Sequence, residues 1–150
     1  MPDNETRQPE SEAETLVRGS CLCGAVRYQM QPPYRFFQYC HCSRCRKRCG
    51  SAFAANILID ADRFSYTEGQ NLVNRYEVPG ARHFSTCFCG QCGASLPWHT
   101  KDGLRVLVPA GTLDSDPFAG PERNIYWGSR ASWYEHTDQL PCFDTLPGRS

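Results

Sequence analysis

The sequence contains no apolar run that approaches the roughly 20 residues of a membrane-spanning helix. It also has no excess of charge of either sign, since 16 Lys and Arg residues balance 16 Asp and Glu residues. Proteins that bind nucleic acid are usually basic, because the phosphate backbone attracts cations. The sequence therefore favours neither a membrane protein nor a nucleic-acid-binding protein.

The amino-terminal segment is polar and acidic, and it lacks the apolar stretch of a signal peptide. We therefore expect a cytoplasmic protein. Residues 1–14 include four glutamates and almost no apolar side chain, a composition that cannot offset the entropy lost on ordering. The prediction is a disordered tail over 1–14, followed by one domain over 15–150, which is long enough to bury a hydrophobic core.

From residue 15 onward, short segments of alternating polarity are separated by turn residues, as is typical of half-buried β-strands. The predicted strands are 15–18, 25–30, 34–39, 51–60, 63–67, 72–78, 82–86, 95–99, 104–109 and 124–127. A helix is the competing interpretation of 51–60, and one or two helical turns are predicted within 42–49. The strands 63–67 and 72–78 are predicted to pair as a hairpin. The sequence thus favours a mainly β domain of antiparallel sheets, with the tail 131–149 packed over one face.

Cysteine is the residue type that this chain has in excess, with ten in 150 residues. Either disulfides or metal ions have to account for so many. Disulfides require an oxidising compartment, and cysteines one residue apart, such as Cys21 and Cys23, would close a strained ring. The short spacings instead favour zinc, because neighbouring thiolates can turn toward one ion at about 2.3 Å.

Two of the cysteine groups have the form of tight metal-binding turns. Cys89-x-x-Cys92-Gly93 resembles a zinc knuckle, in which backbone amides point at the sulfurs and the glycine takes the left-handed conformation. Cys21-x-Cys23-Gly24 is a shorter version of the same turn. Pairing the two turns gives a closed four-cysteine zinc site, which would be structural and would supply much of the folding free energy.

Cys40, Cys42 and Cys45 form a separate set with C-x-C-x-x-C spacing. Three protein ligands and one open position are expected of a catalytic zinc. The open position can take water or a substrate thiol, which coordination would deprotonate at neutral pH. The alternative is a second structural zinc closed by Cys49 or Cys87, and the spacing alone does not decide between the two.

Four basic residues surround this second set of cysteines, namely Arg44, Arg46, Lys47 and Arg48. They would balance the negative charge that three thiolates leave on one Zn²⁺, and they could bind a substrate carboxylate. The alternative is an exposed basic turn without a ligand. His41 lies between two of the cysteines but is expected to point away from them rather than to bind metal.

Four aromatic residues could line a pocket: Trp98, Trp127, Trp133 and Tyr134. Aromatic residues in strands usually belong to the core, and that is the favoured interpretation. His83, His99 and His136 show no ligand spacing and are expected at the surface or in packing. No histidine or carboxylate is placed well enough to be assigned as a general acid or base.

The cysteine motifs together resemble those of the glutathione-dependent formaldehyde-activating enzyme family. The resemblance covers about residues 15–147 and is carried by 19–28 (GSCLCGAVRY), 40–47 (CHCSRCRK) with Gly50 and Ser51, 88–93 (FCGQCG), 109–114 (PAGTLD) and 133–141 (WYEHTDQLP). It implies a β-tent fold of antiparallel sheets held by zinc.

The same resemblance implies two zinc ions with different roles. It places a structural zinc on Cys21, Cys23, Cys89 and Cys92, and a catalytic zinc on Cys40, Cys42 and Cys45. It therefore favours the open form of the second site. The activity that it implies is condensation of formaldehyde with glutathione to S-hydroxymethylglutathione, a carbon–sulfur lyase reaction read in reverse. The partners would be a small thiol such as glutathione and a small aldehyde.

Two further functions compete with this enzyme. One is a non-catalytic zinc module for a protein or nucleic-acid partner, because Arg44 to Arg48 forms a local basic patch and the family also resembles a centromere protein. The other is a metal or redox sensor that uses the surplus thiols of Cys49 and Cys87.

Overall fold

The computed structural model describes residues 15–148, so the disordered tail predicted for 1–14 lies outside the described residues. The strands are β1 (Val17–Ser20), β2 (Arg27–Met30), β3 (Phe36–Cys40), β4 (Ala54–Asp60), β5 (Phe64–Glu68), β6 (Val73–Glu77), β7 (Ser85–Cys89), β8 (Ser95–Leu96), β9 (Trp98–His99), β10 (Arg105–Pro109) and β11 (Arg123–Ile125). The helix α1 is Ser43–Cys49, and the 3₁₀ helices are Ala61–Arg63, Gln70–Leu72, Ala110–Thr112, Trp127–Ser129 and Thr137–Gln139. Between residues 15 and 148, none of the helices has the length and apolar character that crossing a membrane requires.

The strands form three sheets of three, five and three strands. Their strand orders are β1-β2-β5, β11-β3-β4-β10-β9 and β6-β7-β8, which we call the first, second and third sheets. Every pair is antiparallel except β11, which lies parallel to β3. The prediction of a mainly β fold of the β-tent type is confirmed, and the parallel pair at the edge of the second sheet departs from the fully antiparallel expectation.

The main core lies between the first and second sheets. Tyr28 and Met30 of β2 face Ile57 and Ile59 of β4, and all four side chains are buried. Successive side chains of a strand point to opposite faces, so the apolar residues at every second position of β4 line this core. The segment 51–60 is therefore a strand rather than the helix that competed for it, because one face of it is covered by another sheet.

A second core joins the third sheet to the turn between β1 and β2. It contains the buried residues Cys21, Val26, Cys87, Cys89, Leu96 and Trp98. Four of the six come from β7, β8 and β9, whereas Cys21 and Val26 flank the first cysteine turn. Distant parts of the chain thus meet at a point where cysteines from two turns converge.

The predicted hairpin of 63–67 and 72–78 is wrong. β5 pairs with β2 in the first sheet, whereas β6 pairs with β7 in the third sheet. The apolar side chains explain the separation, because Phe64 packs against the main core and Val73 packs against the second core. Gly69 and the 3₁₀ helix after it carry the chain from one sheet to the other.

Two other strand predictions differ from the structure in detail. The segment 95–99 divides at Pro97 into β8 of the third sheet and β9 of the second sheet. A proline has no amide hydrogen for a β-ladder, which makes it a natural point for the change of sheet. The strand predicted at 82–86 begins at Ser85 and includes Cys87 and Cys89.

The carboxy-terminal segment packs only at its beginning. Ala131 is buried and the Tyr134 ring contacts His41, but Trp133 is 65% exposed and Phe143 is 63% exposed. The prediction that 131–149 covers one face of the domain is therefore wrong for most of its described length. The short turns of this segment place its large apolar side chains in solvent.

Replacing Gly69 with alanine is expected to lower the free energy of unfolding by about 2 to 4 kcal/mol. Gly69 has φ of +66°, and a Cβ there would lie 2.1 Å from the carbonyl oxygen of Ala25. Gly80→Ala is the matched control, because φ is +74° there and a Cβ would have no described residue within 4 Å. Urea unfolding of both variants separates the steric clash from the left-handed strain, and equal losses would contradict the close approach to Ala25.

Candidate functional site

Four cysteine sulfurs converge at the junction of the first and third sheets. The sulfurs of Cys21, Cys23, Cys89 and Cys92 all lie within 4.8 Å of one another. The sulfur of Cys23 is 3.5 Å from that of Cys21 and 4.0 Å from that of Cys89. Four thiolates placed tetrahedrally around zinc at 2.3 Å have sulfurs about 3.8 Å apart. The cluster, which we call the four-cysteine cluster, could hold a metal ion and is compatible with zinc.

The backbone of the two turns is arranged around these sulfurs. The amide of Val26 donates to the sulfur of Cys21 at 3.3 Å, and the amide of Gln91 donates to that of Cys89 at 3.4 Å. Gly24 and Gly93 have φ of +75° and +76°, the left-handed conformation predicted for the knuckle. Hydrogen bonds from the Ala94 and Cys23 amides lower the pKa of Cys92 to about 6. A thiolate, the form that binds zinc, is therefore favoured at Cys92 at neutral pH.

A second cluster lies where β3 leads into α1. Cys40 ends β3, Cys42 is the N-cap of α1, and Cys45 lies in the first turn of that helix. Their three sulfurs lie within 4.8 Å of one another, and this three-cysteine cluster could also hold a metal ion. Hydrogen bonding with the Cys45 thiol lowers the pKa of Cys40 to about 6. The end of β3 and the start of α1 thus bring together the three thiols that the sequence spacing predicts to form one set.

Cys49 and Cys87 do not join the three-cysteine cluster. Cys49 is exposed at the end of α1, and Cys87 is buried in the second core beside Cys89. Burial raises the pKa of the Cys87 thiol above its usual value. Neither Cys49 nor Cys87 is therefore placed to supply a fourth ligand to a metal ion in the three-cysteine cluster.

The three-cysteine cluster lines a cavity of about 580 Å³, which we call the cysteine-lined cavity. Its apolar wall includes Phe84, Trp98, Leu107 and Ile125, and its polar wall includes Gln38, Arg44, Arg48, Asn56, Arg82, His83 and Tyr126. The Trp98 indole nitrogen is buried and has no hydrogen-bond partner among residues 15–148. A group that binds in this cavity would lie beside three thiols, several cations and a desolvated aromatic wall.

His41 points away from the sulfurs, as the sequence predicted. Its ring is fully buried, and its Nε2 donates to Oδ1 of Asn124 at 2.9 Å. The rings of Phe53, Trp127 and Tyr134 surround it at centroid distances of 5.0 to 5.4 Å. His41 therefore fixes the chain between Cys40 and Cys42 by packing rather than by binding metal.

The basic residues of α1 have different surroundings. Arg44 and Arg48 line the cysteine-lined cavity, whereas Arg46 donates from Nε to the carbonyl oxygen of His41 at 3.4 Å. Lys47 lies outside this cavity and faces a neighbouring groove. The helix thus presents cations to two concave surfaces, which differs from a uniformly solvated basic turn.

The positions of the aromatic residues and of His83 differ in part from the predicted ones. Trp98 is buried as expected, yet it also lines the cavity, and Trp133 is exposed rather than part of the core. His83 lies in the cavity wall next to Arg82, and Tyr126 lies there with φ of +54°. No sequence pattern indicated Gln38 or Asn56, whose polar side chains lie on adjacent strands facing the site.

Comparisons with known proteins place the chain in a family. A curated protein from Halomonas elongata carries the provisional name of a glutathione-dependent formaldehyde-activating enzyme and is 32% identical to this chain over 148 residues. The aligned region covers 90% of this chain and 91% of the Halomonas protein. A crystal structure of a Rhodobacter sphaeroides protein has the same fold, with a TM-score of 0.54 and 22% identity over 71% of this chain and 98% of that one. Residues 16–129 match the GFA family, described as glutathione-dependent formaldehyde-activating enzyme. The chain belongs to the glutathione-dependent formaldehyde-activating enzyme family.

Proposed function

We propose that this chain is a zinc-dependent enzyme of the carbon–sulfur lyase type that reversibly joins glutathione and formaldehyde to S-hydroxymethylglutathione. The observation that carries the proposal is the convergence of three cysteine sulfurs, without a fourth among residues 15–148, on the wall of a cavity of about 580 Å³. The family description and the name of the Halomonas relative supply the thiol and the aldehyde.

The proposal assigns different roles to the two cysteine clusters. A structural zinc would be held by Cys21, Cys23, Cys89 and Cys92, and a catalytic zinc by Cys40, Cys42 and Cys45. Zinc with three thiolate ligands and a free position supplies Lewis acidity and lowers the pKa of a thiol that binds there. Of the two clusters, only the three-cysteine cluster is part of the cavity wall. A free position on a metal ion held there would therefore face the cavity, as a catalytic role requires.

The reaction balances without an oxidant or a further substrate. The glutathione sulfur forms a bond to the formaldehyde carbon, the carbonyl π bond breaks, and the thiol proton ends on the former carbonyl oxygen. The reverse reaction breaks the carbon–sulfur bond and returns the proton to sulfur. The protein therefore has to bring the two reactants together and move one proton.

Residues of the cavity wall are suited to both tasks. Phe84, Trp98 and Leu107 exclude water from one side, which strengthens electrostatic interactions beside the sulfurs. His83 and Tyr126 lie in the same wall and carry groups that can exchange a proton with the hydroxyl that forms. Holding thiol and aldehyde in this space would convert a bimolecular encounter into a reaction between neighbours.

Reduced thiols are required by both clusters, and no disulfide joins any of the ten cysteines. Reducing conditions of this kind are those of the cytoplasm. We therefore place the proposed reaction there.

Exchange NMR on a mixture of glutathione and formaldehyde tests the proposed function. The two react spontaneously, so the expected result is an exchange rate that rises above the protein-free rate in proportion to the protein concentration. The Cys142→Ser variant is the control, because Cys142 is exposed and lies outside both clusters, and it should accelerate exchange as the native protein does. An exchange rate that is the same with and without native protein would contradict the proposal.

A further inference from the structure

We infer that the carboxy-terminal segment of one chain docks in a groove on the third sheet of a second copy, so that two copies exchange these segments in a dimer. The inference concerns an interaction surface and does not depend on the proposed reaction. It is carried by the match between an acidic segment with exposed apolar side chains and a groove with basic and aromatic walls.

Residues 135–148, which we call the carboxy-terminal arm, are exposed along their whole length. Three of their side chains are large and apolar, namely Leu140, Phe143 and Leu146, and the last of these is 91% exposed. Single apolar residues are normal on a protein surface, whereas several grouped in one segment mark an interaction site. The arm therefore has the character of a segment that another surface covers.

The groove that matches the arm has a volume of about 450 Å³, and we call it the outer groove. Tyr76 of β6 and Phe88 of β7 line it together with Phe84, from the segment before β7. Its other side is formed by α1, which contributes three cations: Arg44, Lys47 and Arg48. Because β6 is an edge strand of the third sheet, the groove lies at the margin of that sheet, where a peptide segment can enter.

The charges of the arm and of the outer groove are complementary. The arm carries three acidic residues, Glu135, Asp138 and Asp144, and has no lysine or arginine. The outer groove has three cations, and no aspartate or glutamate from residues 15–148 lines it. None of these six charged residues forms an ion pair within that part of the chain. Their opposite charges would steer the arm toward the groove and fix its orientation there.

A second copy is the occupant that the structure favours. No residue of 131–148 lines the outer groove of its own chain, although Tyr134 packs against His41 and holds the arm at its start. Pro141 and Pro147 restrict the backbone of the arm, which lowers the entropy lost when it docks. Exchange of an identical segment is a low-cost route to a dimer. Because the exchange is reciprocal, two arms and two grooves contribute to the about 800 Å² per partner that a stable complex buries.

The inferred dimer also brings the arm of one copy to the edge of the other copy's cysteine-lined cavity. Arg44, Arg48 and Phe84 line both the outer groove and that cavity, so the two spaces meet at these side chains. An arm docked in the outer groove would therefore form part of the cavity rim.

Sedimentation equilibrium of the full chain tests the inference, and the native protein should form a dimer. Phe143→Glu changes the arm and Tyr76→Glu changes the groove, and each should raise the dissociation constant of the dimer by about 30-fold or more, because a central aromatic contact is lost. Leu104→Glu is the matched control, since Leu104 is a large exposed apolar residue outside the arm and the groove, and it should dimerise as the native protein does.

A mixture of the arm and groove variants tests the pairing itself. It leaves one intact arm opposite one intact groove, so a mixed dimer should form more readily than the dimer of either variant alone. A native protein that stays monomeric at the highest concentration measured, variants that dimerise as the native protein does, or a mixture without recovery would each overturn the inference.

Cross-linking of the native protein is independent of whether any variant folds. Cys142 is exposed in the arm, and Cys49 is exposed at the end of α1, next to Arg48 of the outer groove. A short bismaleimide added to a mixture of isotope-labelled and unlabelled chains should join Cys49 of one chain to Cys142 of another, which mass spectrometry detects as a cross-linked peptide pair with both labels. Pairs that carry only one label would place the arm in the groove of its own chain, and no Cys49–Cys142 pair would leave the groove to a different partner. Either result would overturn the exchange between two copies.

Discussion

Replacing Cys42 with serine is expected to abolish the acceleration of formaldehyde–glutathione exchange while leaving the fold intact. Cys42 is the N-cap of α1, and its sulfur accepts the Cys45 amide at 3.4 Å. Serine is among the preferred N-cap residues and can accept the same hydrogen bond, so the helix should still begin at Ser43. The variant loses one of the three thiolates that would hold the second zinc, and with it the proposed chemistry.

Three measurements on Cys42→Ser distinguish these effects. The exchange rate should fall to the protein-free value, the zinc content should fall from about two ions per chain to about one, and thermal unfolding should stay cooperative. Cys49→Ser is the matched control, because Cys49 ends the same helix but lies outside the cluster, and it should keep both activity and zinc. An unfolded Cys42→Ser variant would make the three-cysteine cluster structural, and an active variant would remove it from the reaction.

The grouping of the cysteines could be predicted from the sequence because it is local. Cys40, Cys42 and Cys45 are close in sequence, and only the end of β3 and the first turn of α1 lie between them. Their sulfurs therefore stay close together in space. The turns at Gly24 and Gly93 were equally local, since a left-handed glycine follows directly from the turn geometry. The two distant turns also meet in the structure, as expected if a four-coordinate metal leaves each cysteine pair in need of two more ligands.

Sheet partners could not be predicted in the same way. β5 and β6 are neighbours in the chain with a turn between them, and local signals favour a hairpin. Their actual partners are fixed by which core each strand covers, because Phe64 belongs to one core and Val73 to the other. Such a choice depends on contacts between residues far apart in sequence, which periodicity does not report.

The polar wall of the cavity was missed for a related reason. Gln38 and Asn56 lie on adjacent strands of one sheet, whereas Arg82 and His83 come from the segment before β7. None of these residues belongs to a spaced motif, so only the arrangement of the sheets brings them to one place. The basic residues around the cysteines were visible in the sequence, but their division between two concave surfaces was not.

Replacing Cys89 with serine is expected to prevent stable folding at 25 °C. Cys89 is 1% exposed, ends β7, and is one of the four sulfurs that join the first and third sheets. Structural zinc sites contribute about 10 to 16 kcal/mol of apparent binding free energy, as much as the whole stability of a typical domain. Loss of the proposed structural zinc would therefore remove more free energy than hydrophobic packing alone can supply.

Cys87→Ser separates the metal from the packing, because Cys87 shares almost every other property of Cys89. Both residues lie in β7 two positions apart, so they point to the same face, and both are buried in the second core. Serine at either position buries a hydroxyl in place of a thiol, at a cost of about 1 to 3 kcal/mol. We expect Cys87→Ser to fold cooperatively with its zinc content unchanged, whereas Cys89→Ser, and the native protein treated with a strong chelator, should lose the cooperative transition seen by circular dichroism. Similar unfolding free energies for the two variants would mean that Cys89 acts only through packing, and the four-cysteine cluster would then not be what holds the first and third sheets together.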